Sequence, residues 1–367
     1  MTFSLGDIFK VHVFGESHGA CVGVVVEGCP PGMKIDTELI QRDLDRRRPG
    51  NSKLVSPRRE KDQLEMLSGI SSGRTTGAPI SMIVKNSDVD SSAYEVFRRK
   101  PRPGHADYPA RIKYNDFNDS RGGGIFSGRM TVAFVMAGAI AKQLLGFSGI
   151  DIIAFTTQIG NVHLKTEIQV EKLRTEVYRN AVRTIDIGSV QLMTAEIMNA
   201  KNDKDSVGGV IECHILGLPV GVGEPLFDSV ESCISHAIFS IPGVKGIEFG
   251  SGFSGSSKRG SENNDSLIIK DGDIRWSKND AGGILGGITN GAPVIFRVAI
   301  KPTPTIGKKQ QTVDLGEMKE TEISGAGRHD PCIVPRAVPV VEAMAAITII
   351  DLMMKHIPIL EQKFKRN

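Results

Sequence analysis

Two histidines stand in turns of small residues, where an imidazole ring could reach a bound ligand. His18 lies in FGESHGACVG between Ser17 and Gly19, and His105 lies in RPGHAD with Asp107 two residues later. An imidazole ionises near neutral pH, so it can give a proton to a leaving group. The alternative is a turn histidine that binds a backbone group, and for FGESHGACVG alone this alternative is slightly favoured.

Arginines cluster in a chain that is otherwise almost neutral. The segment DLDRRRPGNSK (43–53) carries three consecutive arginines, and Arg129 and Arg336 each open a predicted apolar helix. Guanidinium groups bind phosphate and carboxylate groups through paired hydrogen bonds. Because 45 Lys and Arg face 42 Asp and Glu, for a net charge of +3, a general nucleic-acid binder is disfavoured. For the arginine run taken alone, a solvated basic face is at least as common an explanation.

Glycine-rich segments offer further ligand contacts. RGGGIFSGRMT (121–131) brings backbone N–H groups, the Ser127 hydroxyl and Arg129 to the start of a helix, which is typical of anion sites. AGGILGGITNGAP (281–293) and KPTPT (301–305) together suit a phosphate-bearing cofactor. A Walker A loop and a Rossmann glycine motif are missing, and no metal-ligand spacing appears. We therefore predict an anion site without a metal.

The elements that must position these residues can be predicted from periodicity. Apolar, β-branched runs predict strands near 11–14, 24–27, 80–85, 209–216 and 294–300. The segments from Arg129 and from Arg336 predict long helices that are apolar nearly all round and therefore buried. We expect an α+β fold, a single large domain over 1–367, with sheets outside central helices. Segment 164–202 is predicted to be exposed helix and linker, and the polar segment 308–324 to be mobile.

Three blocks recur in the same order in the two halves of the chain. VVVEGCPPGM (24–33) matches CHILGLPVGV (213–222), 75–86 matches 289–302, and each half has a histidine loop before a helix of small residues. We predict an internal pseudo-two-fold repeat with halves of roughly 1–146 and 205–355. Two unrelated strand–turn–helix units are the alternative.

The cysteines and the apolar segments of the sequence indicate in which compartment the protein resides. Five scattered cysteines without paired spacing indicate reduced thiols in a cytoplasm. The N-terminus lacks the features of a signal peptide, and we expect no later segment to be long and apolar enough to cross a bilayer. The prediction is a cytoplasmic protein without membrane or nucleic-acid partners.

Five motifs, GESHG, RRRPG, RPGHADY, GRHDPC and VPRAVPVVEAM, occur in this order over the full chain. In them, and in SVGGV, VGEPLFDSVES, SIPGVKGIEFG and AGGILGGI, the chain closely resembles the chorismate synthase family. The resemblance implies a carbon–oxygen lyase acting on phosphates in the shikimate pathway of aromatic amino acid biosynthesis. Its reaction would be anti-1,4-elimination of phosphate from 5-enolpyruvylshikimate 3-phosphate to give chorismate. Reduced FMN would be required but not consumed, with NADPH as a candidate reductant.

The resemblance also implies a homotetramer, long helices sandwiched between antiparallel sheets, and roles for individual residues. His18 would protonate the departing phosphate, His105 would serve the reduced flavin near N1 and O2, and Asp330 would assist flavin N5. Substrate contacts are implied for Ser17, Arg47, Ser127, Arg129 and Arg336. Cofactor contacts are implied for Arg47, Lys53, Ser127, Gly243, Gly286, Lys301, Pro302, Thr303, Pro304, Thr305 and Arg328.

The chain departs from the family pattern after the triple glycine. Where many members have Arg-Ser-Ser-Ala-Arg-Glu-Thr, this chain has Ile-Phe-Ser-Gly-Arg-Met-Thr (125–131). Met130 thereby removes a carboxylate that could neutralise Arg129, and Lys53 replaces a common arginine and loses its bidentate fork. We expect weaker ligand contacts at these positions.

Two other functions fit part of the pattern. One is a flavin-dependent oxidoreductase, which would consume reduced flavin stoichiometrically. The other is a non-catalytic anion- or RNA-binding protein that uses the basic segments 46–48 and 98–102. The shortage of aromatic residues for base stacking weakens this last interpretation.

Overall fold

Two five-stranded antiparallel sheets enclose a helical layer in the computed structural model, which describes residues 2–50, 54, 60–87, 91, 94–166, 168–325 and 330–355. The elements up to residue 146 are β1 (Ser4–Leu5), β2 (Lys10–Gly15), β3 (Cys21–Glu27), α1 (Thr37–Arg47), β4 (Leu64–Ser68), β5 (Ile70–Ser71), β6 (Arg74–Thr75), β7 (Ile80–Lys85), α2 (Glu95–Arg99), α3 (Asp107–Lys113) and α4 (Thr131–Gly146). The elements that follow are β8 (Asp151–Ile159), β9 (Val162–His163), α5 (Val170–Glu176), α6 (Ile187–Asn202), β10 (Gly209–Leu216), α7 (Val230–Ile238), β11 (Val244–Phe249), α8 (Gly252–Gly255), α9 (Gly260–Asn263), β12 (Leu267–Lys270), β13 (Asp273–Trp276), β14 (Ile284–Leu285), β15 (Ile288–Thr289), β16 (Val294–Ile300), β17 (Lys309–Asp314), β18 (Lys319–Ser324) and α10 (Val334–Lys355).

The first sheet has the order β1-β2-β3-β7-β4 and the second the order β11-β16-β10-β8-β9. All five predicted strands are present, and three of them have the predicted bounds: β7, β10 and β16. In β3, Val22, Val24 and Val26 are fully buried and alternate with residues of the other face, which is the pattern of a strand with one face on the core. The prediction of an α+β fold with sheets outside central helices is confirmed.

The central layer is formed by the two long helices α4 and α10, which pack on each other. α4 also packs on β3 of the first sheet, and α10 on β8 and β10 of the second. The two helices approach closely because small residues meet at their contact: a Cβ added at Gly138 would lie 2.3 Å from the Cβ of Ala343. Both helices are apolar on every side because each is surrounded by protein.

The expectation that no segment has the length and apolarity of a membrane span is wrong for α10. By length and composition alone this 22-residue helix could cross a bilayer, yet its whole apolar window is buried inside the protein. A helix enclosed between a second helix and a sheet needs the same all-round apolar surface as a helix in lipid, so composition does not separate the two cases.

Corresponding turns of the two halves have the same hydrogen bonds. Thr75 Oγ1 donates to the Pro30 oxygen at 2.5 Å, and Thr289 Oγ1 donates to the Pro219 oxygen at 2.6 Å. Each of these hydroxyls also accepts, at 2.9 Å, from the backbone N–H three residues beyond that proline. The recurring segments therefore adopt the same local structure, with β3 next to β7 and β10 next to β16.

Two predictions from polarity need correction. Segment 308–324, expected to be mobile, is the hairpin β17–β18, which is attached to α2 through Arg99 Nε and Asp314 Oδ1 at 2.6 Å and through the buried Ile323. Segment 164–202 contains α5 and α6, whose Leu173 and Met193 are fully buried against the core. Charged residues on the exposed faces of these helices dominate the sequence pattern, so the buried apolar faces were not predicted.

Candidate active site

A cavity of about 520 Å³ is lined by residues from both halves of the chain. Its volume lies within the usual range for a small-molecule site. The fold brings together residues that lie up to almost 300 positions apart in the sequence. The predicted site residues that line it are Arg47, His105, Ser127, Arg129, Gly243, Lys301, Pro302, Thr303, Pro304, Thr305, Asp330 and Arg336.

Other predicted site residues lie elsewhere. Gly286 is in the turn between β14 and β15, near the first residue of α7, whereas the cavity is lined by 240–243, beyond the last residue of that helix. Gly286 therefore does not contact this cavity within one chain. Lys53 and Arg328 lie outside the described residues.

His18 lies directly behind the cavity wall. Its Nδ1 is 2.8 Å from Ser91 Oγ, and its ring meets the edge of Tyr94 with centroids 5.2 Å apart. The wall in front of it is Gly122, which has φ +62°, and a Cβ there would lie 2.3 Å from His18 Cδ2 and 2.7 Å from Ser17 Oγ. Only glycine fits this position, because a side chain would be strained at this φ and would clash with both His18 and Ser17.

His105 is held by the partly buried carboxylate of Asp107, the first residue of α3. Asp107 Oδ1 lies 2.6 Å from His105 Nδ1 and 2.7 Å from Arg102 Nη2, and Arg102 Nε donates to Oδ2 at 2.8 Å. Burial raises the pKa of Asp107, but hydrogen bonds from Arg102 and His105 outweigh it and hold the pKa well below its usual range. A carboxylate only accepts, so the short contact with Asp107 requires a proton on His105 Nδ1. In the neutral ring Nε2 is then an acceptor, and it lies 3.3 Å from the donor Arg102 Nη2.

Arg47 and Arg129 share one buried carboxylate. Arg47 Nη1 donates to Asp62 Oδ2 at 2.8 Å, and Arg129 Nη1 contacts Asp62 Oδ1 and, at 2.5 Å, Glu60 Oε2. Burial lowers the pKa of Arg47 to about 10, and the charge of Asp62 partly offsets that effect. The sequence suggested that Met130 deprives Arg129 of a neutralising carboxylate. In the structure Asp62 and Glu60 neutralise Arg129 instead.

Arg336 links the two halves at the cavity. Its Nη1 contacts Asp330 Oδ2, and its Nε donates to the backbone oxygen of Arg47 at 3.1 Å. The backbone oxygen of Asp330 accepts from Thr303 Oγ1 at 2.9 Å. Arg336 therefore connects the end of α1 to Asp330, and through Asp330 to the Thr303 hydroxyl.

Residues 301–305 form one wall. Lys301 Nζ donates to the Gly104 oxygen at 2.6 Å, and Thr305 Oγ1 accepts from Arg102 Nη1 at 3.1 Å. Burial lowers the pKa of Lys301, and the ammonium group of Lys245 lowers it further. Hydroxyl, ammonium and glycine backbone along one wall are the donor set that a phosphate-bearing ligand requires.

Several residues of the site were not identified as site residues from sequence. Glu60, Asp62 and Asn86 pair with the arginines, and Arg102 supports His105. One signal was available: REKD (59–62) places two acids two positions apart just after the arginine-rich segment.

The fold and the cavity define an α+β protein with one cavity of small-molecule size, which is lined by several arginines and has two histidines at or behind its wall. The chain belongs to the chorismate synthase family, whose model matches residues 9–354. This confirms the resemblance drawn from the motifs and does not favour the oxidoreductase or RNA-binding alternatives.

Individual relatives agree with this assignment over almost the full length. The chorismate synthase of Korarchaeum cryptofilum is 53% identical over 95% of this chain and 98% of that protein. That of Dehalococcoides mccartyi is 49% identical over 97% of both chains. A crystal structure of a chorismate synthase superimposes with a TM-score of 0.76 at 28% identity, covering 98% of this chain and 97% of the other.

Proposed function

We propose that this chain is a carbon–oxygen lyase that converts 5-enolpyruvylshikimate 3-phosphate to chorismate by anti-1,4-elimination, using reduced FMN without consuming it. The observation that carries the proposal is the gathering of Arg47, Arg129 and Arg336 with His105 and Asp330 around one cavity, with His18 behind its wall. The substrate carries a phosphate and two carboxylates, and three guanidinium groups at one cavity offer hydrogen-bond donors suited to all three anionic groups.

The donor set of the cavity fits FMN. Residues 301–305 would hold its phosphate and ribityl hydroxyls, next to Gly104, whose φ of +71° favours glycine at this turn. The chemistry that reduced FMN supplies when bound is acceptance of the ring hydrogen at N5. His105, through Nε2, would hold the flavin edge near N1 and O2, and Asp330 would assist at N5.

The chain's own part in the elimination is to bind the anions and deliver a proton. The C–O bond to phosphate breaks with its electron pair on the departing oxygen. The electrons of the lost C–H bond form a double bond to the neighbouring ring carbon, and the existing ring double bond shifts by one position toward the carbon that loses phosphate. His18 would give its proton to the departing phosphate past Gly122, and Ser17, Ser127 and the three arginines would bind the charges.

We also propose that the protein works in the cytoplasm as a homotetramer, with NADPH as the source of electrons for the flavin. All five cysteines are free, which suits a reducing compartment. Self-association is supported by exposed apolar side chains on neighbouring loops and hairpins, where Trp276 Nε1 donates to the Asn290 oxygen and Gly291 approaches Val220. The exposed side chains are Val220, Leu226, Phe227, Ile269 and Ile274.

The internal pseudo-two-fold repeat belongs to the same proposal. It is supported by the matching threonine hydrogen bonds at Thr75 and Thr289 and by the matching neighbours in the two sheets. Duplication of one unit would explain why each half contributes one long helix and one wall of the cavity.

The deciding experiment is anaerobic incubation of the protein with 5-enolpyruvylshikimate 3-phosphate and chemically reduced FMN. We expect phosphate and chorismate to appear in equal amounts over many turnovers, with the flavin still reduced. Consumption of one reduced flavin per product would point to the oxidoreductase instead, and absence of both products would overturn the proposal.

The two histidines can be tested by replacing each with alanine. We expect His18→Ala and His105→Ala each to slow turnover by about a hundredfold or more, because a positioned proton donor contributes at least that much. Circular dichroism and thermal unfolding should stay close to wild type. Near-wild-type turnover in both variants would contradict the assigned roles.

A further inference from the structure

The Nη1 atom of Arg129 contacts two carboxylates that differ in their access to the cavity. Asp62 has a side chain with no exposed surface and does not line the cavity, whereas Glu60 lines it and is about 10% exposed. A ligand that enters the cavity can therefore reach Glu60 but cannot reach Asp62.

Asp62 joins the two arginines from behind. Its Oδ2 accepts from Arg47 and its Oδ1 contacts Arg129, so one carboxylate sets the spacing of two guanidinium groups. Arg47 is fixed further by donating to Thr131 Oγ1 at 3.0 Å and to the Gly128 oxygen at 3.1 Å. Such a buried arrangement is costly to break, because removal of Asp62 would leave two desolvated cations.

Glu60 is held less well. Its Oε2 lies 2.5 Å from Arg129 Nη1 but is a buried oxygen that makes no hydrogen bond of good geometry within the described part of the chain. Arg129 Nη1 has only two N–H bonds, and the oxygens of Asp62 and Glu60 both lie within contact distance of this nitrogen. A ligand oxygen that binds this nitrogen must take the place of Glu60.

We propose that Glu60 is an internal placeholder anion, displaced from Arg129 when a phosphate or carboxylate group of the ligand binds, while Asp62 is a positioning residue that remains in place. The roles of Glu60 and Asp62 are inferred from geometry alone, and only the identity of the ligand rests on the proposed function. The two acids therefore have opposite effects on anion binding: Glu60 competes with the ligand, and Asp62 prepares the arginines for it.

The test is titration calorimetry of the full chain with inorganic phosphate, comparing wild type with Glu60→Gln and Asp62→Asn. We expect Glu60→Gln to bind phosphate about fivefold more tightly or better, since the competing charge is gone, and Asp62→Asn to bind about fivefold more weakly or worse. Glu65→Gln is the matched control: it removes a half-exposed acid that pairs with Lys85, and it should leave the affinity unchanged.

A merely structural role of the two acids would shift both variants in the same direction. Phosphate binding by Glu60→Gln that is no tighter than in wild type overturns the proposal, and so does a wild type that binds no phosphate. If Asp62→Asn does not fold, Glu60→Gln and Glu60→Ala suffice: both should bind phosphate more tightly than wild type. Turnover is measured separately. Opposite changes in phosphate affinity without chorismate formation would reject the proposed function but would still support the role of Glu60.

Discussion

The three glycines 122–124 show how single residues shape this site. All three have positive φ, and the first two lie against His18 and His105 respectively: a Cβ at Gly123 would be 3.5 Å from His105 Nε2. A residue with a side chain would be strained in this conformation. The stretch therefore places backbone, and nothing bulkier, against the rings of both histidines.

Substitution of Gly122 tests this arrangement without removing a histidine. In Gly122→Ala the new methyl group would meet the His18 ring at 2.3 Å, so we expect the ring to be displaced and turnover to fall by about tenfold or more. Gly19→Ala, on the other side of His18, meets neighbours only at 3.5 Å or beyond and should stay near wild type. Steady-state assays of the two variants decide, and equal activities would contradict the assigned position of His18.

For Asp107 the contribution to the free energy of unfolding can be predicted together with its dependence on pH. Its pKa is lowered from 3.8 in the folded protein, so its stabilising contribution is present above the unfolded value and is lost only as the pH falls toward the folded one. Asp107→Asn should lower the free energy of unfolding by about 1 to 3 kcal/mol, because Arg102 and His105 lose a charged acceptor.

Urea unfolding at several pH values measures this effect. The deficit of Asp107→Asn should be constant between about pH 5 and pH 8, where the wild-type carboxyl stays ionised. Asp116→Asn removes a more exposed acid that pairs with Arg98 and Arg111, and it should cost less than about 1 kcal/mol. A deficit that grew steadily with pH across this range would show that Asp107 titrates there.

At the scale of elements, the site depends on how α1, α4 and α10 meet. α1 places Arg47 at the cavity, while the preceding Arg46 lies over the Tyr178 ring at 3.7 Å. The Tyr178 hydroxyl donates at 2.9 Å to Glu342 on α10, which lies 3.3 Å from Lys142 on α4. This partly buried polar network connects the three helices and thereby fixes the end of α1.

The contact of α4 with α10 is sensitive to the size of the side chains that meet there. Gly138→Ala would force a methyl group against Ala343, and we expect it to lower the free energy of unfolding by about 1 to 3 kcal/mol. Gly146→Ala at the end of the same helix meets nothing within 4 Å and should be neutral or slightly stabilising. Chemical denaturation compares the two, and equal stabilities would mean that the helices are not in close contact at Gly138.

At the scale of the whole molecule, the exposed apolar hairpin β12–β13 is the testable part of the proposed assembly. Ile269 and Ile274 are paired across its strands and are 82% and 75% exposed. Sedimentation velocity should find wild type as a tetramer and the Ile269→Lys, Ile274→Lys double variant as a smaller species, because charges would then replace apolar contact surface. Met318→Lys, at an equally exposed apolar residue of another hairpin, should leave the mass unchanged. A monomeric wild type would refute the assembly.

Local pattern was enough for much of the molecule. Alternation predicted the strands of both sheets, all-round apolarity predicted α4 and α10 as buried helices, and ordered motifs led to the family. These properties depend on neighbouring residues and on the choice between water and protein interior, and both can be inferred from residue types alone.

Other properties depend on which residues meet in space, and only the tertiary structure decided them. It paired Asp62 with both Arg47 and Arg129, placed His18 behind Gly122, and kept Gly286 away from the cavity. Charge compensation acts through distances of a few ångströms between groups far apart in the chain. The sequence therefore determined that arginines cluster in a nearly neutral chain, and the packing of the sheets and helices decided which acids neutralise them.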